Sequence, residues 1–306
     1  MTRRAAVDLG TNSTRLLIAD IDGDGRDAPL KTLDRRTRIT RLGQGVDANR
    51  TLHPDAIGRV TTVLEEYRDA IAEHGVTEVR ATATSAARDA SNRDEFFDAV
   101  ERAIGVRPSL LSGDEEAKLE FLGATAGLEL PTPFLVLDVG GGSTEFIVGD
   151  TEPTGLLSLD IGCVRLTEQY LHGDPPSPEE LSQAVSVVRD HLLDVERTIP
   201  AAANARTLVG TAGTVWTMAA VELGVDAAES ARIDHFRLTR AAAEDVFRTL
   251  ATESIAQRRH NPGLEPGRVD VIVGGAIVVV SVMRHFHFDE LVVSEADILD
   301  GLVRSP

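Results

Sequence analysis

Carboxylates, hydroxyls and glycines gather in one stretch of this 306-residue chain, Asp138-Val139-Gly140-Gly141-Gly142-Ser143-Thr144-Glu145. Residues 135–137 before it read as a short buried strand, and a second apolar run follows through Val148. Three glycines remove every Cβ from the turn, which suits a tight turn or a close approach of backbone to a ligand. A bare turn between two strands offers several N–H donors to an anion. Asp138 and Glu145 cannot cradle phosphate themselves, but they can hold a cation, or water around one, that neutralises it. The pattern recurs at the N-terminus as Asp8-Leu9-Gly10-Thr11-Asn12-Ser13, again entered from a short apolar strand. The copies lie about 130 residues apart, too far for a solenoid repeat. Two related domains, each contributing one phosphate-gripping hairpin, account for the spacing.

Other residues bear chemistry of the same kind. Arg88 lies with Thr84 and Ser85 in the turn after a strand that ends at Ala83, and arginine grips phosphate with two parallel hydrogen bonds without ever deprotonating. Arg35, Arg36, Arg38 and Arg41 form a basic run ahead of Leu42-Gly43-Gln44-Gly45, and Arg93 opens a helix. Gly210-Thr211-Ala212-Gly213-Thr214 follows a strand, its glycines permitting close approach of a ligand or a helix. Asp114, Glu115 and Glu116 stand at the start of a helix, where negative charge is favoured electrostatically.

Six strings occur in an order that resembles the exopolyphosphatase and guanosine pentaphosphate phosphohydrolase family. They are D-L-G-T-N-S at 8–13, A-T-S-A-A-R at 83–88, S-G-D-E-E-A at 112–117, D-V-G-G-G-S-T-E at 138–145, G-T-A-G-T at 210–214 and R-V-D-V-I-V-G-G-A at 268–276. The nearest likeness is to the short, two-domain actinobacterial type. The resemblance implies an α/β fold of two actin-like (ribonuclease H-like) domains around a central cleft, of the acetate kinase/sugar kinase/Hsp70/actin superfamily. It implies release of terminal orthophosphate from inorganic polyphosphate by metal-assisted attack of water. Guanosine pentaphosphate hydrolysis, or non-catalytic sensing of guanosine tetra- or pentaphosphate, is the alternative. Under this resemblance Glu116, rather than Glu115, is the general base and Arg88 its phosphate-holding companion. Asp8, Asp138 and Glu145 are the ligands of magnesium, with manganese as its substitute. Gly10, Thr11, Asn12, Ser13, Arg41, Arg93, Gly140, Gly141, Gly142, Ser143, Thr144, Gly210, Thr211, Gly213, Gly274 and Gly275 are substrate contacts. Relatives of this kind also imply a homodimer. A Gly-Leu-Arg stretch common near their C-termini is replaced here by Asp297-Ile298-Leu299-Asp300-Gly301.

Composition sets limits. Lys plus Arg is 31 against 49 Asp plus Glu, a formal charge of -18, which disfavours a general nucleic-acid binder. The imbalance is local: residues 1–50 hold ten Arg or Lys against seven Asp, so a basic patch can sit on an acidic protein. Cys163 is the one cysteine, which excludes an internal disulfide and reads as a small buried hydrophobe. No run approaches the ~18 apolar residues of a membrane span, and no secretory segment precedes the first strand. A cytoplasmic enzyme without a membrane partner is expected.

The positioning elements follow from pattern. Strands are expected at 15–21, 31–41, 76–83, 107–111, 156–161, 207–209, 269–273 and 291–294. Apolar spacing predicts helices at 54–71 and from Leu181 past Val195. Asn92 and Glu95 suggest a capping box. His285 and His287 read as one face of a strand. Domains are expected at 1–130 and 131–306, with the last helix, at 296–303, able to pack back across the boundary.

Overall fold

Residues 1–305 are described in the computed structural model of the protein. They form two compact α/β units: Met1–Gly127 together with the segment from Ala296 onward, and Leu128–Glu295.

The first unit holds β1 (Thr2–Leu9), β2 (Ser13–Ile21), β3 (Leu30–Ile39), β4 (Glu78–Ala83) and β5 (Ser109–Leu110) in the order β3-β2-β1-β4-β5. The first three form an antiparallel meander, while β4 lies parallel to β1 and β5 parallel to β4. Alternation along β1 divides the core, because successive side chains leave opposite faces of a strand. Val7 and Leu9 join a cluster with Leu16, Ile18, Leu64, Tyr67 and Phe96. Ala6 faces the other way, with Leu17, Ala19 and Ile21, against Leu299, Leu302 and Val303 of the terminal helix Ile298–Arg304. That helix, expected within the residues of a second domain, belongs to the first unit. It crosses the helix Gly113–Ala124 so closely that a Cβ on Gly123 would lie 1.9 Å from the Asp297 carbonyl oxygen.

The second unit repeats the layout with β6 (Phe134–Val139), β7 (Thr144–Gly149), β8 (Pro153–Leu159), β9 (Thr207–Thr211), β10 (Arg237–Thr239) and β11 (Glu290–Val293). Its order is β10-β11-β9-β6-β7-β8. β6, β7 and β8 are the antiparallel meander, β9 and β11 run parallel to β6, and β10 adds an antiparallel edge. The two units thus share one layout, an antiparallel meander continued by parallel strands.

Three local expectations are corrected. Residues 269–273 are not a strand: Val271 precedes the helix Ile272–His285, nearly all of which is buried. His285 therefore ends a helix, and His287 has φ 60, so the two do not share a strand face. Asn92 precedes its helix without capping it through its side chain. Its amide donates instead to the Leu52 carbonyl (3.0 Å), and its Oδ1 accepts from the Leu52 N–H (2.8 Å).

Candidate active site

In the first unit, the chemistry-bearing segments leave the carboxyl ends of neighbouring parallel strands, where open α/β sheets bind ligands. β1 runs into the hairpin at 10–13, β4 into the short helix Ser85–Asp89 that carries Arg88, and β5 into the helix that carries Glu116. The Leu111 N–H donates to the Ala83 carbonyl at 3.0 Å and ties the last two exits together.

Glu115 and Glu116 diverge at once. Ser112 and Glu115 form a capping box: the Ser112 Oγ accepts from the Glu115 N–H (3.2 Å), and the Glu115 Oε2 accepts from the Ser112 N–H (2.8 Å). These bonds hold the Glu115 carboxyl below its ordinary range. Its charge is committed to the helix end. Glu116, one residue on, is 7% exposed. Its Oε2 accepts from the Arg88 NH1 at 2.6 Å, and the same NH1 donates to the Leu111 carbonyl at 2.9 Å.

The 10–13 hairpin is closed by the Gly10 N–H donating to the Ser13 carbonyl at 3.0 Å. The loop after β3 clamps its outer side: the N–H groups of Thr40 and Arg41 donate to the Asn12 carbonyl (3.0 and 2.9 Å), and Gly43 donates to Thr11 (2.8 Å). The carbonyls are thereby used, while the Thr11 and Asn12 N–H groups have no acceptor among the described residues. The Asn12 side chain is 5% exposed, and both of its amide atoms lack a partner among the described residues. Arg41, with φ 52, is half-buried in the clamping loop, whereas Arg93 is exposed in the first turn of its helix.

Asp8 sits in the core of a charge network. Arg15 donates to its Oδ2 from Nε (3.0 Å) and NH2 (2.7 Å), and from NH1 to Asp297. Arg35 lies 3.6 Å from Asp297 and bonds Asp300. Burial pushes the Asp8 carboxyl up, against the pull of Arg15.

The second unit offers the parallel arrangement. The Gly140 N–H donates to the Ser143 carbonyl at 3.1 Å. The helix Cys163–Tyr170 covers the turn's other side: Cys163 donates to the Gly140 carbonyl (2.9 Å), and Val164 and Arg165 to Gly141 (2.9 and 3.1 Å). Arg165 also donates from Nε to the Gly142 carbonyl (2.9 Å). Again the carbonyls are consumed, and the Gly141 and Gly142 N–H groups have no acceptor among the described residues. The Thr144 hydroxyl bonds the Ile161 carbonyl at 2.6 Å and serves the fold. Asp138 and Glu145 are buried and directly paired across β6 and β7, and the Glu145 Oε1 accepts from the Ser158 hydroxyl at 2.7 Å.

The remaining expected contacts differ in kind. Thr211 is buried beside Asp138 and precedes the helix Ala212–Leu223. Gly210 is a packing glycine, since a Cβ there would meet Leu291 and Val215. Gly274 and Gly275 lie inside the helix Ile272–His285 and are packed on Cys163, Thr167 and Thr214. Gly213 lacks a Cβ because the Arg268 guanidinium covers it, with NH2 2.0 Å from where that atom would be. Arg268, 8% exposed and anchored to Glu265 at 2.8 Å, is the cation that the sequence reading passed over. Cys163 is buried, and burial raises its thiol.

No group of three or more His, Cys, Asp or Glu among the described residues is arranged to hold a metal ion. Asp138 and Glu145 nevertheless fit magnesium, which takes one or two carboxylates and keeps several waters. Like charges directly opposite on neighbouring strands repel, and a divalent cation relieves that repulsion.

Residues 17–305 match the Ppx/GppA phosphatase family. The chain belongs to that family. It is 45% identical over 315 aligned residues to Exopolyphosphatase 2 of Mycobacterium tuberculosis, covering 100% of this chain and 98% of that protein. Among solved structures, one described as an exopolyphosphatase-like protein superposes with a TM-score of 0.92 at 38% identity, covering 99% and 98% of the two chains. An exopolyphosphatase from Cytophaga hutchinsonii gives 0.90 at 25% identity, covering 99% and 96%. No described helix is long and apolar enough to cross a membrane.

Proposed function

We propose that this family member is an exopolyphosphatase, releasing terminal orthophosphate from inorganic polyphosphate by attack of water. The observation that carries the reading is the Arg88–Glu116 pair, a nearly buried carboxylate held by a guanidinium at the carboxyl end of the first sheet. Such a carboxylate can accept a proton from water while the arginine holds a phosphate oxygen. Phosphoryl transfer needs little covalent chemistry from the protein, and placement and charge neutralisation dominate it. The acceptor-free amides of Thr11, Asn12, Gly141 and Gly142 supply fixed donors for phosphate oxygens. Asp138 and Glu145 would hold magnesium, whose role is to offset phosphate charge. The names of the relatives support polyphosphate as the substrate.

The deciding measurement is phosphate release from tripolyphosphate, long-chain polyphosphate and guanosine pentaphosphate, side by side. Polyphosphate should be preferred. Preferential turnover of guanosine pentaphosphate would replace the substrate, and tight nucleotide binding without any turnover would replace the enzyme with a sensor.

A further inference from the structure

The two hairpins correspond position by position. Asp8-Leu9-Gly10-Thr11-Asn12-Ser13-Thr14-Arg15 aligns with Asp138-Val139-Gly140-Gly141-Gly142-Ser143-Thr144-Glu145, identical at Asp, the first Gly, Ser and Thr. Both turns close through the same glycine-to-serine bond, at 3.0 and 3.1 Å. On one side, each aspartate pairs with a threonine of the adjoining parallel strand: Asp8 with Thr82, Asp138 with Thr211. Both threonine hydroxyls are buried without a hydrogen-bond partner among the described residues. On the other side, each aspartate faces the last residue of its motif, and there the charge reverses. Asp8 faces Arg15, whereas Asp138 faces Glu145.

We propose that Arg15 is a built-in cation, occupying in the first hairpin the role that a metal ion plays beside Asp138 and Glu145. The inference rests on the metal assignment made above for the second hairpin. It removes Asp8 from the magnesium ligands expected from the sequence. Two guanidinium nitrogens already bond the Asp8 Oδ2, and a divalent cation there would sit against a positive charge that cannot be titrated away. Arg15 is itself fixed from behind by Asp297, a residue 282 positions away that the terminal helix brings to it. Asp297 is thus a positioning residue. The consequence is functional: with Arg15 bonded to Asp8, the amides of the 10–13 turn grip phosphate without metal. The second hairpin sets two carboxylates face to face where the first sets a carboxylate against a guanidinium.

Two binding measurements test this. The first is Mn2+ binding, followed by electron paramagnetic resonance on the wild type, Asp8→Asn and Asp138→Asn. Mn2+ affinity should be unchanged in Asp8→Asn and lost in Asp138→Asn. Equal loss in both overturns the role of Arg15. Retention in both overturns the contrast by removing metal from the second hairpin, a failure of the parent assignment recognisable by the behaviour of Asp138→Asn. The second is calorimetric binding of tripolyphosphate in excess EDTA. Arg15→Ala, which leaves Asp8 uncompensated beside the turn, should weaken it about tenfold or more. The double variant Asp8→Asn/Arg15→Ala, neutral at both positions, should regain most of the loss, which a purely structural role for Arg15 would not allow. Absence of metal-free binding by the wild type, an unchanged Arg15→Ala, or no recovery in the double variant overturns the proposal.

Discussion

Arg88 and Glu116 are joined by a 2.6 Å hydrogen bond from NH1 to Oε2, while the neighbouring Glu115 turns back to cap its own helix. The bond gives the adjacent glutamates separate fates. Glu116→Gln keeps the size and hydrogen-bonding reach of the side chain but removes the base. A lost general base costs roughly 10²–10⁴-fold in rate, so single-turnover phosphate release should fall by that order with polyphosphate binding retained. Glu115→Gln preserves the capping box, for which glutamine also serves, and should leave both rate and melting temperature near those of the wild type. A crippled Glu115→Gln beside a normal Glu116→Gln would sink the assignment.

The same bond makes Arg88 and Glu116 non-additive. Removing Arg88 alone takes a charged donor away from a nearly buried carboxylate, and removing the charge of Glu116 lessens that penalty. Residues in direct contact typically show coupling energies of ~0.5–3 kcal/mol. The stability losses of Arg88→Gln and Glu116→Gln, measured by urea unfolding, should therefore sum to more than that of the double variant. Strict additivity would mean that the two groups do not interact in solution.

Much of this site is readable without coordinates because its signals are local. Asp, Gly, Ser and Thr recur at the same spacing in both hairpins, and a turn built from neighbouring residues announces itself in sequence. The capping box of Ser112 and Glu115 has a local signature too, S-x-x-E, but in the sequence the choice of Glu116 over Glu115 rests on the family resemblance. Residues 269–273 misled because a short β-branched apolar run cannot be told from a buried helix by periodicity. Arg268 precedes that helix and lies over Gly213, a contact between distant residues that no local pattern announces. The Arg15–Asp297 pair carries no local signal. It exists only because the terminal helix returns to the first sheet.

Metal dependence should distinguish the two aspartates of the hairpins. Changing a metal site's immediate surroundings commonly costs 10–100-fold, so Asp138→Asn should raise the magnesium concentration for half-maximal turnover by at least about tenfold. Its melting temperature without metal should not fall, because the substitution removes one of two facing carboxylates on neighbouring strands. A magnesium titration superimposable on that of the wild type would rule out Asp138 as a ligand.

The terminal helix supplies a stability test in which one substitution has opposite signs at two sites. Gly301 lies where the helix Ile298–Arg304 crosses Gly113–Ala124, and a Cβ there would fall 2.0 Å from the Leu119 carbonyl oxygen. That atom is backbone and cannot rotate aside, so the two helices must separate. Overpacking of this kind costs about 1–3 kcal/mol or more, and the separation would also draw Asp297 away from Arg15. Gly58 is the control. It lies within the helix Pro54–Glu73, and a Cβ there would meet nothing within 4 Å. Alanine is favoured over glycine in a helix interior by roughly 0.5–1 kcal/mol. In urea unfolding, Gly301→Ala should lower the midpoint and Gly58→Ala should raise it slightly. If Gly301→Ala is as stable as the wild type, the close crossing does not exist in solution, and the anchoring of Asp297 against Arg15 goes with it.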